Sequence, residues 1–163
     1  MNSDRDETVG HEATVQGIGI SVESSREGDG IPAVLVEARG EVLPIFVSTD
    51  QARSMQLALR GKPFDRPLTH DLLVDMVAEF GGAIDSVRID DLAESTFYAK
   101  IDAEQYRSGE RKQLVFDARP SDGIALALRV DCPITVSDTV LDEGAYPPDD
   151  LDMHQLDDEG DRW

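Results

Sequence analysis

Cysteine, histidine and lysine are scarce in this sequence, and each shortage excludes a kind of site. The single cysteine, Cys132, rules out an intramolecular disulfide and any cysteine cluster for a metal. It stands between a predicted helix and an apolar triplet, so we interpret it as a small buried thiol rather than a nucleophile. Three histidines cannot form a His-rich metal site, and two of them, His11 and His154, lie in the predicted tails.

Long apolar runs are also missing. No stretch approaches the roughly 20 apolar residues that a membrane-spanning helix requires. The acidic, polar start has neither the basic nor the apolar part of a secretory signal. We therefore expect a cytoplasmic protein without a membrane partner. Phosphate-binding loops and the GxGxxG, HExxH and GxSxG motifs are absent as well.

Negative charge is abundant. The chain has 34 acidic and 15 basic residues, a formal net charge of −19, and only three lysines. Because the acids are spread along the whole chain, they indicate a surface suited to molar salt, where charge repulsion is screened within about 3 Å. Dense charge then keeps the protein soluble. The alternative is that the acidic surface serves a basic partner.

The hydrophobic pattern predicts one domain over 13–144 between acidic tails at 1–12 and 145–163. The tails contain too few core-type residues to offset the entropy of ordering, so we expect them to be disordered. Apolar residues alternate as in strands or recur at helical spacing within the domain. The predicted strands are 14–22, 33–38, 42–47, 83–90, 96–102, 112–117 and 134–136, with helices over 49–61, 69–81 and from about 120 to before Pro133.

The order of these elements predicts a duplication. The tetrapeptide LALR occurs at 57–60 and again at 126–129, and the halves 14–81 and 82–144 each contain three strands followed by one or two helices. Neither half can cover its own apolar sheet. We therefore expect an α+β fold with a single twisted, barrel-like sheet, helices packed outside, and strand-to-helix junctions near 70 and 120 that face each other.

The first chemically unusual segment is RPLTHD, residues 66–71. Thr69 suits a helix N-cap, and Asp71 suits the first turn, where the helix dipole favours a carboxylate. Helix capping does not explain His70, which is the one histidine between residues 13 and 144 of the sequence. A histidine titrates near neutral pH and can act as a general base. A purely structural His70 is the alternative.

The second segment is DARPSD, residues 117–122. Pro120, Ser121 and Asp122 can start a helix. Asp117 and Asp122 could also converge on a cation such as Mg²⁺ or Mn²⁺, which needs only one or two carboxylates besides water and phosphate. Arg119 could bind a phosphate through its forked donors. Alternatively, Arg119 and Asp117 form a buried structural ion pair.

These segments, together with 43–61 and 96–101, resemble the bifunctional nuclease domain family, and the resemblance runs from about 14 to 144. It implies a duplicated β3-α2 unit in a barrel-like sheet, oligomeric assembly and nuclease activity toward RNA and DNA. The acidic composition suggests a haloarchaeal-type member, and we expect a homodimer because such dimers are the commonest closed assembly. The family's usual Gly, Glu and Glu are replaced here by Ser48, Gln51 and Arg60.

The resemblance assigns site residues by position. The implied catalytic residues are His70, Asp71, Asp117 and Asp122, the implied substrate-binding residues are Arg119, Ser121 and Arg66, and the implied metal ligands are Asp117 and Asp122. The implied function is hydrolysis of phosphodiester bonds. The alternative is a non-catalytic binding or regulatory module for a nucleotide, a small anion or a partner protein.

Overall fold

The computed structural model describes residues 10–21, 30–61 and 65–155. Its strands and α-helices follow one another along the chain in the order β-β-β-α-α-β-β-β-α-β-α-β. The strands are β1 (Gly10–Ser21), β2 (Pro32–Ala38), β3 (Glu41–Phe46), β4 (Gly82–Ala93), β5 (Thr96–Arg107), β6 (Glu110–Ala118), β7 (Ile134–Ser137) and β8 (Met153–Gln155). The helices are α1 (Thr49–Arg60), α2 (Thr69–Glu79), α3 (Pro120–Val130) and α4 (Asp138–Gly144).

Local sequence signals explain the ends of α1. The Ser48 hydroxyl accepts a hydrogen bond from the Gln51 amide at 3.2 Å, and the Gln51 side chain accepts one from the Ser48 amide at 2.9 Å. This reciprocal pair is a capping box. Gly61 ends the helix in the left-handed conformation, with φ of 61°. The predicted start and end of this helix are confirmed.

The starts of α2 and α3 differ from the prediction by one or two positions. Thr69 is the first helical residue rather than the N-cap, which is Leu68. The Leu68 amide donates instead to the Asp71 carboxylate, at 2.9 Å. Ser121 is likewise inside α3, whose N-cap is Arg119. At α2 a side chain from within the first turn therefore replaces the expected cap, whereas α3 begins without a side-chain cap.

One mixed sheet organises the domain. Its strands run in the order β3-β2-β1-β7-β4-β5-β6, and β8 pairs with β1 beyond the end of β7. All neighbours are antiparallel except β4 and β7. Strand β7 therefore joins two three-stranded meanders, β1-β2-β3 and β4-β5-β6. The α+β class is confirmed.

The sheet is open in the part of the chain that the structure describes, with β3 and β6 at its edges. The predicted barrel-like closure is therefore not confirmed. Each half does contain three consecutive strands followed by a helix, but a common origin of the halves stays a prediction.

A single core lies between the sheet and helices α1, α3 and α4. Its fully buried large side chains come from both halves and include Ile18, Leu43, Met55, Ile89, Ile124 and Leu141. Gly123 lets α3 lie close to β4, because a Cβ there would meet Val87 Cγ1 at 2.8 Å. This close approach positions the start of α3. Cys132 is half-buried against the core, and burial raises the pKa of its thiol.

The apolar residues of helix α2 recur at helical spacing, as in a helix that packs against a core. None of its residues is buried, and Leu72, Leu73, Met76 and the following Phe80 are all exposed. The helix contacts α3 and β4 at the side of the core. Leu73, Met76, Val77 and Phe80 line an open cavity, while Val74 packs against the core.

The predicted C-terminal tail also requires a correction. Residue Tyr146 exchanges backbone hydrogen bonds with Val42, and β8 continues the sheet alongside β1. Residues 145–155 are thus part of the fold rather than a separate acidic tail, because sheet edges offer backbone partners that composition does not reveal. Residues 1–9 and 156–163 lie outside the described residues. None of the described helices has the length and apolarity needed to cross a lipid bilayer.

Met55 offers a test of the shared core. Met55→Ala should lower the free energy of unfolding by about 2–5 kcal/mol, because it leaves a cavity between α1 and the sheet. Urea denaturation in molar KCl would measure the change. Leu59→Ala is the control on the same helix, where the side chain is exposed and the loss should stay below about 1 kcal/mol. Equal losses for the two variants would contradict the described packing.

Candidate active site

The starts of α2 and α3 meet on one side of the sheet. His70 Nε2 lies 3.0 Å from Asp122 Oδ1, although the two residues are 52 positions apart. The expectation that the junctions near 70 and 120 face each other is confirmed. Both helix dipoles direct their positive ends toward this point, which favours negative charge there.

The second ring nitrogen of His70 is held from behind by α1. His70 Nδ1 lies 2.8 Å from the Ser54 hydroxyl. Arg129 Nη2 donates to the same hydroxyl at 3.1 Å and to the Ser54 carbonyl oxygen at 3.3 Å. Ser54 and Arg129 are both nearly buried, with side-chain exposure of only 8% for Arg129. The imidazole is therefore fixed on both of its nitrogens.

Arg119 lies at the open side of this pair. Its Nε and Nη2 atoms each approach Asp122 Oδ2 to 2.9 Å. The Asp122 carboxylate thus accepts from His70 on one oxygen and from Arg119 on the other. The Arg119 side chain remains 70% exposed, so its guanidinium can reach a ligand in the solvent.

Asp122 is ionised more readily than an ordinary aspartate. Partial burial opposes its ionisation, but the hydrogen bonds from His70 and Arg119 outweigh that effect and lower the pKa of the carboxyl group. In this resting arrangement Asp122 is a stable anion that orients His70, and it is a weak base while Arg119 contacts it.

Asp71 faces away from this pair, toward Arg129. Arg129 Nε donates to Asp71 Oδ1 at 2.7 Å, and Arg129 Nη1 donates to the Ala125 carbonyl oxygen at 2.9 Å. Burial opposes ionisation of Asp71, but the hydrogen bonds from Arg129 and from the Leu68 amide lower its pKa. Asp71 therefore anchors the arginine that holds Ser54.

Asp117 takes a different partner from the one considered in the sequence. Lys100 Nζ donates to Asp117 Oδ1 at 3.0 Å across the β5–β6 pair. The alternative of a buried Arg119–Asp117 pair is wrong, since both side chains are exposed and Arg119 contacts Asp122.

The donor set does not form a ready cation site. Across residues 10–21, 30–61 and 65–155, no group of three His, Cys, Asp or Glu residues is placed to hold a metal ion. Asp117 and Asp122 each already bind a basic side chain. A cation shared by these two carboxylates therefore stays a prediction.

An open cavity of about 830 Å³ extends from the polar cluster along α2. His70, Asp117, Arg119 and Asp122 line its polar end. The remaining walls are mostly apolar and come from α2, the start of β4, β5, β6 and Leu126 of α3. A concave site with a few convergent polar groups is the usual form of a ligand-binding site.

Three of the implied site residues lie outside the lining of this cavity. Asp71 and Ser121 are not among the residues that line it, and Ser121 is buried in the first turn of α3. Arg66 is exposed in the loop before α2 and does not line it either. The structure thus brings together His70, Asp122 and Arg119. Asp117 lines the same cavity but pairs with Lys100 on the neighbouring strand.

Sequence reasoning missed Ser54, Arg129 and Lys100. Ser54 stands in the middle of α1, where a serine gives no local benefit to the helix. Arg129 was visible only as the last residue of the repeated LALR tetrapeptide. A polar residue in the apolar face of a helix is the signal that could have identified Ser54.

The ion pair behind the site makes stability depend on pH. The folded-state pKa of Asp71 is lowered, so its stabilising effect is complete above the ordinary carboxyl pKa of about 3.9 and is lost as the pH falls through the lower folded value. Asp71→Asn should cost roughly 1–2 kcal/mol at neutral pH, and the difference from wild type should shrink below about pH 4. Denaturant unfolding across pH would measure it.

Asp75→Asn is the matched control, because Asp75 is an exposed carboxylate on the same helix. A difference between wild type and Asp71→Asn that stayed constant down to the acid limit would contradict the assigned contact with Arg129.

Comparison with known proteins adds an independent result. The family model described as the bifunctional nuclease domain matches residues 33–149. An uncharacterized protein of Mycobacterium tuberculosis strain H37Rv is 39% identical over 141 residues, which cover 85% of this chain and 80% of that protein.

More distant relatives are plant proteins. Bifunctional nuclease 1 of Oryza sativa subsp. indica is 28% identical over 96 residues, which cover 59% of this chain and 29% of that protein. Bifunctional nuclease 2 of Arabidopsis thaliana is 28% identical over 102 residues, covering 62% of this chain and 30% of that protein. The matched part is therefore less than a third of each plant protein. The extent of the family match shows that this chain belongs to the bifunctional nuclease domain family.

Proposed function

We propose that this protein is a nuclease that hydrolyses phosphodiester bonds in RNA, DNA or both. The observation that carries the proposal is the convergence of His70, Asp122 and Arg119 at one end of an open cavity. Hydrolysis of a phosphodiester needs a group that moves protons and a positive group at the phosphate. Membership of the family and the names of the plant relatives support the same activity.

The contacts behind His70 define its protonation pattern when it is neutral. Arg129 can only donate, so it uses a lone pair of the Ser54 hydroxyl. The Asp122 carboxylate can only accept, so a neutral His70 carries its ring proton on Nε2 and donates it to Asp122 Oδ1. His70 Nδ1 is then free to accept the proton of the Ser54 hydroxyl. Ser54 and Arg129 are thus positioning residues for His70.

Arg119 is the proposed phosphate ligand. A guanidinium binds phosphate well because its donors form a planar fork. A bound phosphate would replace Asp122 Oδ2 as the acceptor of Arg119. The freed oxygen then accepts a proton from the water that attacks phosphorus, while His70 holds the other carboxylate oxygen. The P–O bond to the leaving strand breaks, and the departing oxygen takes its proton from solvent water. Binding of the substrate would in this way convert Asp122 from a paired anion into a base.

A divalent cation, Mg²⁺ or Mn²⁺, remains part of the proposal only as a cofactor to be tested. Asp117 and Asp122 line the cavity together with Arg119. Each of them contacts a basic side chain in the described structure, so a cation that bound both carboxylates would compete with Lys100 and Arg119.

The acidic composition leads to a proposal about salt. We propose that the protein is a haloarchaeal-type member of the family and folds best in molar salt, because the net charge of −19 repels itself in dilute buffer. We also propose that the protein is a cytoplasmic homodimer, since the open edges of the sheet favour pairing with a second copy.

Cleavage of labelled RNA and DNA in molar KCl, with Mg²⁺, Mn²⁺ or EDTA, tests the proposed activity. Asp122→Asn should lower kcat by roughly 100-fold or more, the usual contribution of a proton-transferring group. His70→Ala should lower kcat as well, because it removes the group that holds the Asp122 carboxylate in place. Arg119→Ala should mainly raise KM, because it removes phosphate binding. Loss of activity in EDTA and its return with Mn²⁺ would establish the cation.

Asp102→Asn is the matched control. Asp102 also pairs with an arginine, Arg88. Partial burial opposes ionisation of Asp102, but the hydrogen bond from Arg88 outweighs that effect and lowers the pKa of the carboxyl group. Asp102 does not line the cavity. The Asp102→Asn variant should cleave RNA and DNA as fast as the wild-type protein does. Equal cleavage by all variants would indicate a contaminating nuclease, and a folded wild-type protein that cleaves neither substrate would favour the non-catalytic binding module.

Salt dependence is tested separately by thermal unfolding between dilute buffer and saturating KCl. The unfolding midpoint should rise by many degrees as KCl enters the molar range, since the counterions screen repulsion among the acids. A neutral osmolyte at equal osmolality is the control for solvent exclusion. Full stability and activity without added salt would contradict a halophilic protein.

A further inference from the structure

The cavity beside the proposed active site has apolar walls that retain much of their surface in solvent. Leu73, Met76 and Phe80 line it from the α2 side, and Leu114 and Phe116 line it from β6. Phe80 is 72% exposed and Phe116 is 51% exposed. Large apolar side chains exposed together usually mark a binding surface.

This apolar wall is continuous with the polar cluster. α2 runs beside the cavity from Thr69 to Glu79, a length of about 16 Å, and is followed by Phe80. β6 leads from Phe116 directly into Asp117 and Arg119. A ligand whose phosphate contacts Arg119 would therefore place its neighbouring groups against the apolar walls.

The negative charge of the protein implies that an anionic ligand is held mainly by these apolar walls. Proteins normally bind nucleic acid through lysines and arginines that neutralise phosphates. Here the net charge is −19, and among the described residues that line the cavity Arg119 is the only lysine or arginine. Salt would weaken even that attraction. Affinity for a polyanion thus requires contacts that do not depend on charge.

We propose that the cavity binds unpaired bases, so that the substrate of the proposed nuclease is single-stranded nucleic acid; this inference rests on the proposed function. Bases stack on aromatic side chains through their flat faces, and such contacts tolerate any sequence. In a duplex those faces are covered by neighbouring base pairs. Only an unpaired strand can present a base to Phe116 and Phe80 while its phosphate reaches Arg119.

The size of the cavity agrees with this occupant. About 830 Å³ lies within the range of roughly 300–1,000 Å³ that is typical of pockets for small organic ligands. A second copy of this chain could also cover exposed apolar residues. The position of the cation Arg119 at the rim favours a ligand that is apolar at one end and anionic at the other.

Binding without cleavage is the measurement. Fluorescence anisotropy of the full chain in molar KCl and EDTA would use a fluorescein-labelled DNA strand, its duplex, and an abasic strand of the same length. The unmodified strand should bind at least about tenfold more tightly than the other two. Phe116→Ala should weaken binding of the strand by about tenfold, in line with the usual effect of removing one base–aromatic stack.

Phe46→Ala is the matched control. Phe46 is an aromatic residue of the opposite edge strand, β3, with 57% exposure, and it does not line the cavity. It should bind the strand as wild type does. Phe80→Ala is the second test variant, because Phe80 directly follows α2 and lies outside the sheet. Circular dichroism would verify that every variant is folded.

Equal affinity for strand and duplex, or an equal loss in Phe46→Ala, would overturn the proposal. The proposal would also be overturned if Phe116→Ala bound the strand as wild type does and had a lower mass than wild type in sedimentation. That result would show that the cavity is covered by a second copy of the chain. Cleavage of strand and duplex at equal rates would support the proposed nuclease but contradict the proposed preference for single strands. Strand binding that depends on the cavity, without cleavage in the presence of any cation, would support binding of unpaired bases but contradict the nuclease.

Discussion

Strand β7 pairs with β1 on one side and with β4 on the other, and this join allows two three-stranded meanders to share one interior. Without it, the edges of β1 and β4 would lose these pairings and the two meanders would not form one continuous sheet over a shared core. The join also determines which helices meet. Helix α1 packs against α3, and α3 contacts α2. The candidate site therefore depends on a strand that contributes no side chain to it.

Contacts between distant residues hold the site together. His70 reaches Asp122 across 52 positions, and Arg129 reaches Asp71 across 58 and Ser54 across 75. Arg129 is nearly buried and is satisfied by two side chains and two carbonyl oxygens, which is the condition under which a buried charge is tolerated. The buried arginine gives His70 a rigid support, and the exposed Arg119 remains open to a ligand.

The polar and apolar parts of the cavity perform different tasks in a protein of this charge. An acidic surface keeps the chain soluble in salt but repels a polyanion. The two helix starts and Arg119 offset that repulsion only locally. Apolar contacts are not weakened by salt, so the exposed wall formed by α2 and β6 is compatible with binding under conditions that screen charge. Covering the same residues inside the core would have removed this surface.

The amino-acid sequence by itself determined most of the secondary structure, because its signals act over a few residues. The capping box of Ser48 and Gln51 and the Gly61 terminus locate α1, and the alternation of apolar residues locates the strands. The motifs at 66–71 and 117–122 also identified the family and nominated His70, Arg119 and Asp122. Only the tertiary structure decided which groups face each other: that Asp71 supports Arg129, that Asp117 contacts Lys100, that the apolar residues of α2 line a cavity, and that residues 145–155 join the sheet. These pairings follow from the way helices and strands pack across long separations, and no local pattern of residues encodes that packing.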